Sequence, residues 1–328
     1  MLKSWLKSKL SFLKSNSWVL MYHRINDPDI DPWNISVSKE KFEEQIIWLK
    51  QHCHVLPLYQ LISDWRNGHL KKHSVAITFD DGYIDNYTTA VPLLEKHILP
   101  ATFFICTDYL FQQKPFWWDE LAGYILQSDI LPEHFSIKIE DIEVAKDLKV
   151  EAHLNSEVKR KNYLWRYPQT PATLRGQLYL ELWGILRKLN DKQRAIYMLH
   201  IQQLASFSTP WNPELMDEKC LHDIARNLLF NIEAHTCSHP ALQYLPVNVQ
   251  YDEIAESKRL LAETFKIPVR FLAYPYGSYD NFSFEASLKA GLEACFTTQP
   301  VPVNKSLHKY QVGRMMMTNE INFRMQIR

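Results

Sequence analysis

VAITFDDGY, residues 75–83, runs through apolar and β-branched side chains and then stops in two adjacent carboxylates and a glycine. A short apolar run bounded so sharply is expected for a buried strand of a parallel sheet, delivering charge at its C-terminal end. Five further runs share the form: residues 19–22, 101–106, 228–232, 270–274 and 294–298. Between them Phe42, Ile46 and Leu49 recur at helical spacing, as do Ile254, Leu261 and Phe265. The alternation predicts an α/β fold of βα repeats. No glycine-rich dinucleotide turn follows any run, so a distorted (β/α) barrel of about seven units is expected rather than an open sheet.

Residues from about 107 to 222 break this rhythm. They open on Phe116, Trp117 and Trp118 and continue through ELWGILRKL and RAIYMLHIQQL, which read as a helical insertion in one βα connection. The barrel itself is expected over residues 18–328. Ahead of it, residues 1–17 form a basic amphipathic segment. Leu2, Trp5, Leu6, Leu10 and Leu13 share one helical face and Lys3, Lys7 and Lys14 lie elsewhere, a pattern for capping a barrel end or resting on anionic lipid.

The 37 basic residues balance 37 acidic ones, so no global field draws this chain to nucleic acid. Its five cysteines form no CxxC pair, which points to a reducing compartment. The opening MLKSWLKSKLSFLKSNSW holds no apolar run of signal-peptide length, so a cytoplasmic protein is expected, with peripheral contact at an inner membrane face through residues 1–14.

Two more segments carry chemistry. NIEAHTCSHPAL, residues 231–242, places His235 and His239 four apart, a spacing that brings two imidazoles to one side of a helical turn to share an ion. Cys237 between them reads as a small packed residue. RFLAYPYGSYD, residues 270–280, runs into Pro275, Tyr276 and Gly277, a turn suited to presenting a backbone N–H to an oxyanion. All three segments end strands, and barrel enzymes assemble their sites from several strand C-termini. Two imidazoles with one carboxylate are a ligand set for zinc that leaves a position for water, and the remaining carboxylate is then the base.

TFDDG, HTCSH and YPYG, in that order, closely resemble the polysaccharide deacetylase family, also called the NodB-homology or carbohydrate esterase family 4 domain. The resemblance implies Asp80 as catalytic base, Asp81, His235 and His239 as ligands of a divalent ion, zinc first among them, and the Tyr276 N–H in the Pro275 turn as oxyanion donor. Many members carry an arginine two residues before that proline, where this chain has Ala273. The late histidine motif that supplies the acid is replaced by a lone His308 in a polar stretch. Both departures, with the opening VLMYHRI, are similar to the subgroup deacetylating biofilm poly-N-acetylglucosamine.

FWWDE resembles members encoded among surface-polysaccharide biosynthesis genes, which makes Trp117 and Trp118 candidate substrate contacts and a nucleotide-linked or lipid-linked amino sugar a candidate substrate. The expected activity is metal-dependent deacetylation of an N-acetylated amino sugar in a cell-surface glycan. O-deacetylation, deformylation and a decayed carbohydrate-binding site are the rival readings. For the general acid the expectation is His23, which ends the apolar run VLMYH, with His308 as alternative, because first and last strands of a closed barrel are neighbours.

Overall fold

The computed structural model describes residues 16–206 and 214–321, so the N-terminal amphipathic segment expected over residues 1–14 lies outside the described residues. The chain divides into two compact units, one of residues 1–27, 35–113 and 215–328, the other of residues 28–34 and 114–214.

The first unit is built on β1 (Trp18–Tyr22), β2 (His54–Val55), β3 (Ser74–Phe79) and β4 (Ala101–Ile105). The second unit intervenes with β5 (His134–Ile139) and β6 (Ile142–Asp147), and the first resumes with β7 (Phe230–Ala234), β8 (Phe271–Ala273), β9 (Ala294–Phe296) and β10 (Met315–Met316). The strand order of the first unit is β10-β1-β3-β4-β7-β8-β9, with β2 beside β3, and every pairing is parallel. All five residues of β1 and all six of β3 are buried, as a parallel sheet covered on both faces requires.

The curled sheet is the distorted (β/α) barrel that the alternating runs predict. Its two ends come together through one stretch of chain. Val312 bridges Phe296 of β9, and three residues later Met315 pairs with Leu20 of β1. The inner wall is held by Val19, Ala76, Phe104, Phe271, Ala273, Phe296 and Val312, packed with Leu58, Leu61 and Ile62 from the helix Leu58–Arg66. Leu20, Ile77, Phe79, Phe103, Ile232 and Leu272 face the other way, under the surrounding helices.

The second unit is not wholly helical. β5 and β6 pair antiparallel as a hairpin, and the strict alternation of exposure along HFSIKI leaves one face buried. Four longer helices accompany it: Trp117–Ala122, Ser156–Leu164, Leu174–Leu186 and Asp191–Leu204. Arg175 is fully buried here, and its guanidinium donates to the carbonyls of Glu151, Ser128 and Ala152 at 2.6, 2.6 and 2.7 Å, so that a buried charge is satisfied by backbone alone. All five cysteines are free. Among the described residues no helix is long and apolar enough to cross a membrane.

Candidate active site

Side chains alternate across a strand, so counting in twos from the inner wall identifies what faces the barrel mouth. From Val19 the count reaches His23, from Ala76 it reaches Asp80, from Phe104 Cys106, from Ala273 Pro275 and from Val312 Arg314. On β7, Ile232 and Ala234 pack outward, which leaves His235 facing in. Strand register brings these positions level: Tyr22 is paired with Phe79, and the Asp80 N–H donates to Tyr22 O at 3.0 Å, setting His23 beside Asp80. His235 N–H donates to Ile105 O at 3.0 Å, setting it beside Cys106. Asp81 has the wrong parity for the interior. Its backbone is left-handed at φ 75°, with Gly82 following at φ 96°, and this reversal returns its carboxylate to the site.

Asp80 is 2% exposed and is gripped by a residue the sequence reading missed. Arg314, fully buried, donates from Nη1 to Oδ1 at 2.7 Å and from Nη2 to Oδ2 at 2.6 Å, a bidentate pair. Its Nε donates to Thr297 O at 3.2 Å, and the guanidinium lies 5.3 Å from the Phe104 ring centroid. Burial alone would push the Asp80 carboxyl up, but Arg314, with His235 and His23, outweighs it and holds the group below its ordinary range. Asp80 is therefore an ionised carboxylate fixed in orientation. The preceding Gly313 makes the approach possible, because a Cβ there would stand 2.6 Å from Gln299 O and 2.7 Å from Val301 O.

Asp81 Oδ1 faces both imidazoles, 3.4 Å from His235 Nε2 and 3.3 Å from His239 Nε2. These separations exceed those of charge-assisted hydrogen bonds, and this buried oxygen accepts none. They match a different geometry: donors held about 2.1 Å from one tetrahedral ion stand about 3.4 Å apart. His235 is prepared for such a role. Its Nδ1 lies 2.8 Å from Ala273 O, which can only accept, so the proton is on Nδ1 and the Nε2 lone pair points at the cluster. The residues present thus fit a divalent ion, and Asp81, Cys106, His235 and His239 place one donor atom each within 4.8 Å of one another.

The two histidines do not meet on a helical turn, as their spacing predicts. β7 ends at Ala234, and the following turn has Thr236 at φ 67° and His239 at φ 53°, which brings the rings to 4.8 Å. Glu253, on the helix Val247–Phe265, fixes that turn by accepting from the backbone N–H of Cys237 and Ser238, each at 2.9 Å, and from Ser238 Oγ at 2.6 Å. In the PYG turn Tyr276 is also left-handed, at φ 57°, and its ring lies 4.5 Å from that of His239. Asp81, Thr236, His239 and Tyr276 each spend roughly 1–3 kcal/mol in this region, a cost that clusters where geometry serves chemistry.

The comparisons agree with this geometry. The polysaccharide deacetylase family model matches residues 67–133 and 202–295. These two segments hold the Asp80, Asp81, His235, His239 and Tyr276 positions and pass over most of the second unit. The chain belongs to the polysaccharide deacetylase family. The poly-beta-1,6-N-acetyl-D-glucosamine N-deacetylases of Staphylococcus aureus and Staphylococcus epidermidis are 34% identical over 115 residues, 31% of this chain. That match spans 40% of the length of these relatives. The fold is shared with a de-N-acetylase from Aggregatibacter actinomycetemcomitans (TM-score 0.56, 16% identity, 94% of this chain and 97% of that one). It is shared also with the Streptococcus pyogenes deacetylase PplD (TM-score 0.54, 18% identity, 93% of each chain).

Within this deacetylase domain the remaining sequence candidates separate by place. Arg270 stands at the start of β8, away from the strand ends that carry the site, with its Nε 3.8 Å from Glu293, so it does not replace the arginine missing at Ala273. His308 precedes the bridge at Val312 and is exposed, stacked 5.5 Å from Phe284 and 5.6 Å from Tyr310, at the end of the barrel opposite Asp80. Trp117 and Trp118, each 4% exposed, are core residues of the second unit: Trp118 stacks on Phe116 at 4.3 Å and Trp117 on Trp183 at 6.3 Å. Neither offers a ring face to a sugar. Pro275 is buried, and Cys237 is a packed residue at 8% exposure.

Proposed function

We propose that the chain is a metal-dependent N-deacetylase of an amino-sugar glycan. The observation that carries the reading is the pairing, in one strand-end cluster, of an ion-shaped donor set with an ionised Asp80 clamped by Arg314. Asp81, His235 and His239 would hold the ion, zinc first by ligand type, which when bound lowers the pKa of water and neutralises charge developing on the acyl oxygen. Asp80 takes the proton of the attacking water, and Arg314 keeps its lone pairs aimed. The Tyr276 N–H donates to the developing oxyanion.

His23 protonates the leaving amine, so that carboxylic acid and free amine leave together. It stands beside Asp80, its Nδ1 is buried without a hydrogen-bond partner, and its backbone carbonyl is anchored by Asn86 Nδ2 at 2.6 Å. A narrow crevice beside Asp81, lined by Gly82, Ile105, Leu110, Leu215 and Met216, supplies an apolar wall for the methyl of an acetyl group. This favours acetyl over formyl. The case for a decayed binding site rested on Ala273, and the grip of Arg314 on Asp80 removes it.

The direct test is release of acetate or formate from N-acetylated glucosamine polymers and from nucleotide-linked or lipid-linked amino sugars, with and without chelator. Acetate release that chelator abolishes is expected. Asp81→Ala, His235→Ala and His239→Ala should each lower zinc content and affinity by well over about 10-fold, since ligand loss exceeds the effect of losing a second-shell partner. Stoichiometric zinc in all three variants would end the ligand assignment. His23→Ala should lose about 10²-fold or more in turnover with metal retained, while His308→Ala keeps it. The reverse pattern would move the acid to His308.

A further inference from the structure

We propose that Cys106 is a fourth protein ligand of the ion, making the centre an Asp81, Cys106, His235 and His239 set. The inference rests on the triad being a metal centre, and it concerns a residue outside that triad. Cys106 follows β4 as His235 follows β7, on adjacent strands in register, where Ile105 pairs with Ala234. Both side chains therefore emerge at the same level into the same space. The thiol is fully buried, unbridged, and donates to His235 O at 3.3 Å. Its sulfur lies within 4.8 Å of the donor atoms of Asp81, His235 and His239.

A second observation points to a ligand in this space: Asp81 Oδ1, on a side chain 4% exposed, accepts no hydrogen bond although two imidazoles face it. A cation satisfies that oxygen. A tetrahedral ion with one sulfur at about 2.3 Å and three lighter donors near 2.1 Å sets its ligands about 3.4–3.7 Å apart. The four donors need draw in by no more than about an ångström, and rotation about the single Cα–Cβ bond carries the sulfur from the His235 carbonyl toward them. As the sulfur–metal bond forms, the thiol proton passes to solvent. A thiolate among imidazoles selects zinc and cobalt over magnesium and manganese, which an Asp-His-His set alone discriminates less.

Cobalt(II) titration of the chelator-stripped protein, followed by absorption, tests this. The expected result is one cobalt per chain, with a near-ultraviolet sulfur-to-cobalt charge-transfer band rising in step with the visible d–d bands. Cys106→Ser should abolish the charge-transfer band and keep the d–d bands, and Cys237→Ser should change neither; Cys106→Ala repeats the first measurement should the serine disturb folding. Visible bands without charge transfer in the unsubstituted protein, or a charge-transfer band that survives loss of Cys106, would overturn the proposal and leave the triad standing. Failure of the unsubstituted protein to bind cobalt at all would overturn the triad with it.

Discussion

Arg314→Leu should lower turnover by about 10²-fold or more and move the acid limb of the pH–rate profile to higher pH. Without the guanidinium, burial is the largest influence left on Asp80, and it acts to raise the carboxyl. More of the base is then protonated at a given pH, and the carboxylate loses the fork that orients it. Breaking a buried pair in this way should also cost about 3–5 kcal/mol of stability at neutral pH. Asp80 is held below its ordinary range in the folded state, so the stability it contributes is present above its unfolded pKa of about 3.9 and is lost as pH falls below that. The Tm difference between parent and variant should accordingly narrow in acid. Arg314→Lys keeps the charge without the planar fork and should fall between the two in turnover, with a smaller shift of the limb. An unmoved limb and full turnover in a folded Arg314→Leu protein would remove Arg314 from the site.

That this residue escaped a reading of sequence, while Asp80 did not, has a physical reason. VAITFDDGY announces itself because strand, carboxylates and turn are contiguous, and each neighbouring run carries the same local pattern into the observed β1, β3, β4, β7, β8 and β9. Arg314 acts across 234 residues of chain, and only the closing of the sheet, with Val312 against β9 and Met315 against β1, brings it to Asp80. A signal was present in KYQVGRMMM, a lone charge inside an apolar strand-like run, which must find a partner if it is buried. His235 and His239 were legible as a pair, but from the wrong local structure, since left-handed residues in a turn do the work assigned to a helix. Side-chain parity alone would have sent Asp81 out of the barrel, and its positive φ leaves no mark in the letters except the glycine that follows. Trp117 and Trp118 mislead in the opposite direction: composition cannot tell a ring packed in a core from one held out to a sugar.

Asp80→Asn should keep its metal and lose about 10²–10⁴-fold in turnover, because the amide preserves shape while removing the atom that takes the proton. Its stability should fall as well, since Arg314 is left charged, fully buried and facing a neutral amide. The two substitutions share one interaction, so their effects should not add. In the Asp80→Asn background, Arg314→Leu should cost less stability than it does alone, with a coupling of about 0.5–3 kcal/mol measured by denaturant unfolding. The activities should couple more tightly still: once the base is gone, removing the residue that aims it has nothing left to remove, and kcat of the double variant should match that of Asp80→Asn. A double variant slower than Asp80→Asn by a further 10²-fold or so would mean that Arg314 acts on the substrate itself rather than through Asp80. Full turnover in Asp80→Asn alone would show that the proton goes elsewhere.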